Sequence, residues 1–226
     1  MVFGYLLENT LTLGTLFLIN LILFLILVYF IRNKIPNFLG VCESNEKTSL
    51  EHDIISRGLG VFFMCPVLLF VFFDQPLFQI SDVCLIISSC IVGFWDDKKN
   101  LSQKFKLNFL IFIGFVYVLF IKGYSFNLTF EALELIIIPI YFVFIVLFFN
   151  QIDGINGLAS ITFITTLFIF FYFSENIIFS LPIIGAVLAY LIINIRGSIG
   201  IQGEAGSFFM GATIFVLTLK VNFPVN

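Results

Sequence analysis

Residues 133–157 read LELIIIPIYFVFIVLFFNQIDGING, an apolar run that ends in a short stretch of amides, one carboxylate and glycines. The run from 133 to 149 has about the length that crosses the hydrocarbon core of a bilayer as an α-helix. The polar stretch that follows it belongs at a membrane–water boundary, because unpaired polar groups are costly in lipid. This alternation of apolar run and polar loop recurs along the chain and determines its fold.

The composition excludes a soluble globular protein. Hydrophobic residues make up 60% of the 226 residues and charged residues only 11%, and there are 33 phenylalanines. A soluble domain of this size has too little interior to bury so much apolar surface. We predict an all-α fold, a polytopic transmembrane helix bundle of about eight transmembrane helices, in a single integral membrane domain over residues 1–226. The predicted spans are 11–31, 58–73, 80–94, 107–121, 133–149, 159–173, 179–195 and 207–221.

The basic residues predict the orientation. With eight spans, four polar loops share one side of the membrane, and they contain nine of the eleven lysines and arginines. The positive-inside rule makes that side cytoplasmic. These loops cover residues 32–57, 95–106, 150–158 and 196–206.

The loop after the third span contains two adjacent carboxylates, Asp96 and Asp97, followed by lysines that include Lys104 and Lys106. Adjacent carboxylates repel each other, so they need a cation or water to remain ionised. One interpretation gives a carboxylate to a metal ion or to proton abstraction, with the lysines on phosphate oxygens. The other is a solvated loop of mixed charge, and the residues alone leave both open.

The two later loops repeat this ambiguity. Asn150, Asp153 and Asn156 follow one another at intervals of three, which places them on one face of a helical turn. The alternative is an ordinary turn rich in Asn, Asp and Gly. Glu204 stands among small residues at a predicted helix start, which fits a metal and anion site or a simple helix cap. The recurrence of such loops on one side of the membrane favours a shared metal-dependent phosphate site.

Three motifs carry a family resemblance. Gly93 to Leu107 is similar to G-x-x-D-D-x-x-x-L-S-x-x-x-K-L, Asn150 to Ala159 to N-x-x-D-G-x-D-G-L-A, and Asn194 to Gly211 to N-x(8)-G-D-A-G-S-x-x-x-G. In these motifs the chain resembles the polyprenyl-phosphate N-acetylhexosamine-1-phosphate transferases of glycosyltransferase family 4, a group that includes the phospho-N-acetylmuramoyl-pentapeptide transferases. A fainter likeness covers the segment around Arg57.

The chain also departs from the family pattern. Asn156 stands where the family usually has a second aspartate, and Glu204 replaces an aspartate. Family members continue beyond the position of Asn226 with further helices and a histidine-rich loop. We therefore expect a family core that is truncated at its C-terminus.

The resemblance implies transfer of a sugar 1-phosphate from a UDP-sugar to polyprenyl phosphate, with release of UMP, in the synthesis of cell-envelope glycans or glycolipids. It implies Mg²⁺ as the cofactor, with Mn²⁺ as the alternative ion. The expected partners are polyprenyl phosphate, a UDP-N-acetylhexosamine and the membrane, without nucleic acid, and a homodimer is left open. The expected location is a bacterial inner membrane, with the active site facing the cytoplasm.

The resemblance also implies roles for individual residues. The expected catalytic residues are Asp96, Asp97 and Asp153. The expected metal ligands are Glu204, Asp97 and Asp153. The expected substrate-binding residues are Asn150, Asn156, Lys106, Lys104, Arg57 and Asn194. Two other functions stay open: a catalytically inactive homologue that serves as a binding or assembly partner, and a membrane transporter.

Overall fold

A computed structural model of the chain describes residues 2–34, 40–42, 55–72, 78–122, 131–155, 157–174, 180–195 and 200–221. Within these residues every predicted span coincides with a helix, which confirms the helical class. The helices are α1 (Val2–Lys34), α2 (Met64–Phe72), α3 (Ile80–Lys99), α4 (Gln103–Lys122), α5 (Glu131–Ile152), α6 (Leu158–Phe173), α7 (Leu181–Ile195) and α8 (Gly203–Lys220). The second span begins with a 3₁₀ helix, Leu59–Phe63, that leads into α2.

Two helices of the described part are long and apolar enough to cross a membrane by length and composition. They are α4, over Gln103–Phe120, and α5, over Leu133–Ile152. Both present large apolar side chains outward: Phe112 is 62% exposed and Phe144 66%. Exposed apolar surface of this kind is typical of a face that contacts lipid. That helices of this chain cross a membrane, and how many of them do, stays a prediction.

Helix α8 is the centre of the bundle. It packs against α3, α5 and α6, and its residues from Ala205 to Leu217 are all buried. A helix that is apolar on every side belongs in a protein interior or in lipid, and the burial of α8 places it in the interior of the bundle. The approach of α3 to its first turn is close, because a Cβ atom on Gly93 would lie 2.3 Å from the carbonyl oxygen of Glu204.

A small sheet, which the sequence analysis did not predict, lies beside the start of α8. Strand β1 (Gly40–Cys42) pairs antiparallel with β2 (Ile55–Arg57), and β2 pairs in parallel with β3 (Gly200–Ile201). The N–H of Gly58 continues the pairing with a hydrogen bond of 3.1 Å to the carbonyl of Ile201. This pairing brings Arg57 to the N-terminus of α8.

The contact between α3 and α8 makes the first prediction. Gly93→Ala should destabilise the protein by about 1–3 kcal/mol, because the new methyl group overlaps backbone that cannot move freely. Gly14→Ala is the matched control, since a Cβ atom at Gly14 meets no atom within 4 Å. Thermal unfolding in detergent measures both variants. Equal unfolding midpoints would contradict the tight contact.

Candidate active site

Residues from the four polar loops meet at one end of the bundle. Arg57 Nε lies 3.0 Å from Asp97 Oδ1, and Lys106 Nζ lies 3.2 Å from Asp96 Oδ2 and 2.8 Å from Glu204 Oε1. Lys106 and Glu204 are 98 positions apart in the chain. The predicted convergence of these loops is therefore present in the fold.

Asp97 joins α3 to the N-terminus of α8. Its carboxylate accepts the backbone N–H of Glu204 at 2.9 Å and that of Ala205 at 3.0 Å. These are first-turn donors that have no partner within their own helix, and a negative charge at that end is stabilising. Gly203 has φ 70°, and a Cβ atom on it would lie 2.3 Å from Asp97 Oδ2. A glycine is therefore required immediately before Glu204.

Lys106 bridges two carboxylates from distant motifs. Its ammonium donates to both oxygens of Glu204, at 2.8 and 2.9 Å, and to Asp96 Oδ2 at 3.2 Å. Asp96 also accepts the backbone N–H of Leu101 at 2.6 Å. Asp96 and Lys106 are both buried. The ammonium neutralises part of a negative cluster that would otherwise be unfavourable in such a position.

Asp153 lies in the turn that follows α5. Its Oδ1 accepts a short hydrogen bond from Nε2 of Gln202, the residue just before α8. The partner is a neutral amide, so it orients the carboxylate without cancelling its charge.

Burial changes the acidity of three of these groups. Desolvation raises the pKa of Asp153 to about 8, and the charges of Asp97 and Glu204 act in the same direction, whereas the Gln202 hydrogen bond and Arg57 oppose them. Desolvation also raises the pKa of Asp97 against its hydrogen bonds to the α8 backbone. The pKa of Glu204 is raised by desolvation and by Asp96, with Lys106 opposing. The buried site therefore disfavours the ionised forms of Asp97, Asp153 and Glu204.

The donor set fits a divalent cation by charge and type. The site has four acids, Asp96, Asp97, Asp153 and Glu204, and two cations, Arg57 and Lys106, so it has two excess negative charges when all four acids are ionised. Carboxylate oxygens are the ligands that magnesium prefers. Among the described residues, however, no three acidic, histidine or cysteine side chains are grouped so that they could hold a metal ion. Lys106 stands between two of the acids.

Within the described part of the chain, three residues predicted for the site make no hydrogen bond or ion pair with this cluster. Lys104 is exposed, Asn150 is half-buried in the last turn of α5, and Asn194 is buried near the end of α7. Asn156 lies outside the described residues. The roles predicted for these four residues stay predictions.

Three residues of the site were not identified in the sequence analysis. They are Gln202, Ser160, whose hydroxyl is 3.4 Å from Gln202 Oε1, and Tyr190, whose hydroxyl accepts the Gln202 N–H at 3.0 Å. Gln202 directly precedes the Gly203-Glu204 motif, so its position was a usable signal. Ser160 and Tyr190 lie inside predicted spans, where one polar group gives no sign of a role.

Comparison with known proteins agrees with these motifs. The family model described as glycosyl transferase family 4 matches residues 80–222. The chain is 30% identical over 159 residues to phospho-N-acetylmuramoyl-pentapeptide-transferase from Caldicellulosiruptor bescii, in an alignment that covers 60% of this chain and 50% of that protein. The chain therefore spans about half the length of the curated relative it matches. Since the family match includes most of the chain and the motifs that contribute Asp96, Asp153 and Glu204, this chain belongs to glycosyl transferase family 4.

Proposed function

We propose that the protein transfers a sugar 1-phosphate, as an N-acetylhexosamine 1-phosphate, from a UDP-sugar to polyprenyl phosphate and releases UMP. The observation that carries the proposal is the meeting of Asp96, Lys106, Asp153 and Glu204, from three separate motifs, at one end of the bundle. Membership of glycosyl transferase family 4 supports it, and so does the similarity to a transferase that is named for a phosphorylated sugar.

The chemistry explains why such a cluster is useful. Both reactants are anions, so the reaction depends mainly on positioning and on neutralising charge. A phosphate oxygen of the lipid forms a bond to the sugar-bearing phosphorus, and the bond from that phosphorus to the UMP oxygen breaks. In the proposal Asp96 accepts or orients the proton of the lipid phosphate, and Lys106 holds phosphate oxygens.

The excess of two negative charges supports Mg²⁺ as the cofactor, with Mn²⁺ as the alternative. Glu204, Asp153 and Asp97 would hold the ion, and Lys106 would then pair with phosphate instead of Glu204. Asp97 already accepts three hydrogen bonds or ion pairs, which leaves about one further acceptor position. When bound, a divalent ion supplies charge stabilisation to the phosphates in the transition state.

The remaining predicted residues complete the proposal. Asn150 and Asn156 would hydrogen-bond the nucleotide, with Asn194 nearby, and Lys104 and Arg57 would contact phosphate. The bundle is proposed to be one integral membrane domain of about eight transmembrane helices in a bacterial inner membrane, with the site at the cytoplasmic surface. There a lipid phosphate and a UDP-sugar meet without either crossing the membrane. A homodimer is compatible with this arrangement.

One observation favours a second function, that of a catalytically inactive homologue acting as an assembly partner. Lys106 holds both oxygens of Glu204 and one of Asp96. This closed set of ion pairs would stabilise the fold without any reaction. Turnover measurements distinguish the two functions.

The carboxylates give the second prediction. Asp96→Asn, Asp153→Asn and Glu204→Gln should each lower transfer of radiolabelled sugar phosphate to lipid by about 100-fold or more, because a charge that stabilises the transition state is lost. Asp82→Asn is the matched control, since Asp82 is also buried in α3 and paired with a lysine, Lys220, but lies 14 residues from Asp96, about four helical turns away. Undiminished transfer by the site variants, or wild-type transfer that survives chelation of divalent ions, would reject this mechanism.

The third prediction concerns the membrane face. Single cysteines at Asn100 and Gln151, both exposed in the polar loops, should react with a membrane-impermeant maleimide only from the cytoplasmic side, in a background without native cysteines. Tyr172→Cys is the matched control, because Tyr172 is 84% exposed at the opposite end of α6. Labelling of Asn100→Cys from outside would contradict the proposed orientation.

The fourth prediction follows from the raised pKa of Asp153. The folded protein retains a proton on Asp153 up to a pKa of about 8, whereas an unfolded aspartate loses it near 3.9. Between these values the folded state binds more protons, so stability falls as pH rises and levels off above pH 8. Thermal unfolding midpoints in chelator should therefore decline from pH 6 to pH 8.5. Asp153→Asn should flatten the decline, and added Mg²⁺ should raise the midpoint most at high pH. A midpoint that rises over this range would contradict the charge argument.

A further inference from the structure

Gln202 is a buried polar residue to which the proposed function assigns no role. It directly precedes α8 and is only 1% exposed. Its side chain lies between Ser160 of α6 and Asp153 in the turn after α5. A buried amide is costly unless its hydrogen bonds are satisfied. The position of the Gln202 side chain next to Asp153 therefore requires an explanation.

The orientation of the Gln202 amide is fixed by its neighbours. The Asp153 carboxylate oxygen Oδ1 is an acceptor, and the Nε2 group of Gln202 donates to it. The other end of the amide, Oε1, then accepts a hydrogen bond from Ser160 Oγ at 3.4 Å. The reverse orientation would place two oxygens against each other.

The backbone of Gln202 is held equally firmly. Its N–H donates to the hydroxyl of Tyr190 at 3.0 Å, and its carbonyl accepts the N–H of Gly60 at 3.0 Å. Neither the main chain nor the side chain can therefore shift without breaking hydrogen bonds to α6, α7 and the 3₁₀ helix. The amide acts as a fixed donor.

Asp153 differs from the other three acids of the site because the group that donates to it, the Gln202 amide, is neutral. Asp96 and Glu204 are paired with Lys106, and Asp97 is paired with Arg57. The hydrogen bond that orients Asp153 comes instead from an uncharged amide. The direction of the Asp153 carboxyl group is therefore fixed by a hydrogen bond from a neutral group.

We propose that Gln202 is a positioning residue that fixes the Asp153 carboxylate for the transfer reaction, with Ser160 as a hydrogen-bond donor to its amide oxygen. The role rests on the proposed function. It predicts that loss of the amide donor impairs the reaction step more than substrate binding, because a misplaced group of the site can cost up to about 100-fold in rate.

Gln202→Met tests the donor, since methionine keeps the length of the side chain and loses the amide. We expect kcat to fall about 10- to 100-fold while KM for the UDP-sugar changes by less than about threefold. Ser160→Ala should lower kcat in the same direction by a smaller factor. Ser89→Ala is the matched control, because Ser89 is also buried but donates to the Leu85 carbonyl within α3, and its kcat should equal that of the wild type.

A second measurement does not need turnover. Thermal unfolding of Gln202→Met, Asp153→Asn and the double variant, in detergent, should give midpoint shifts that are not additive, because residues in contact are energetically coupled. Additive shifts would overturn the contact. Non-additive shifts with an unchanged kcat, or with a raised KM and unchanged kcat, would overturn the positioning role while leaving the proposed function intact.

The two proposals fail in different ways. If the wild-type protein transfers no sugar phosphate, the proposed function fails and the positioning role fails with it, whatever the unfolding midpoints show. If the wild type is active and Gln202→Met is equally active, only the role of Gln202 is lost.

Discussion

The site depends on the contact between the Asp97 carboxylate and the first backbone N–H groups of α8. That contact satisfies donors which a helix cannot satisfy itself, and it ties α3 to the central helix of the bundle. Arg57 reaches the same carboxylate from β2. Without this junction Glu204 would have no fixed position relative to Asp96, and Lys106 could not bridge them.

The charges of the site are only partly neutralised, and they are buried. Lys106 and Arg57 offset two of four carboxylates, and burial raises the pKa of Asp97, Asp153 and Glu204 because the remaining negative charge is poorly solvated. The excess negative charge of such a site favours the binding of a cation, either a metal ion or the Lys106 ammonium group. It would repel two phosphorylated reactants unless a cation joined them. This is the physical basis for proposing a divalent ion here.

Glu204, which stands where the family usually has an aspartate, makes contacts with both its side chain and its backbone. The longer side chain reaches Lys106 with both oxygens, whereas its backbone is held at Asp97. Glu204 is therefore held both by its carboxylate and by its backbone. The Gln202–Asp153 contact adds a second acid with a fixed direction, and its partner is neutral.

The sequence by itself determined the helical class, the approximate limits of the helices and the motifs of the family, because apolar run lengths and residue spacing are local properties. It also selected Asp96, Asp153 and Glu204 as candidate site residues, whose roles stay predictions. Only the tertiary structure decided which side chain contacts which, since the Gln202–Asp153 and Lys106–Glu204 contacts join residues 49 and 98 positions apart. The small sheet at Arg57, the capping of α8 by Asp97 and the contact between Gln202 and Asp153 were not predicted, because each depends on packing between elements that are distant in the sequence.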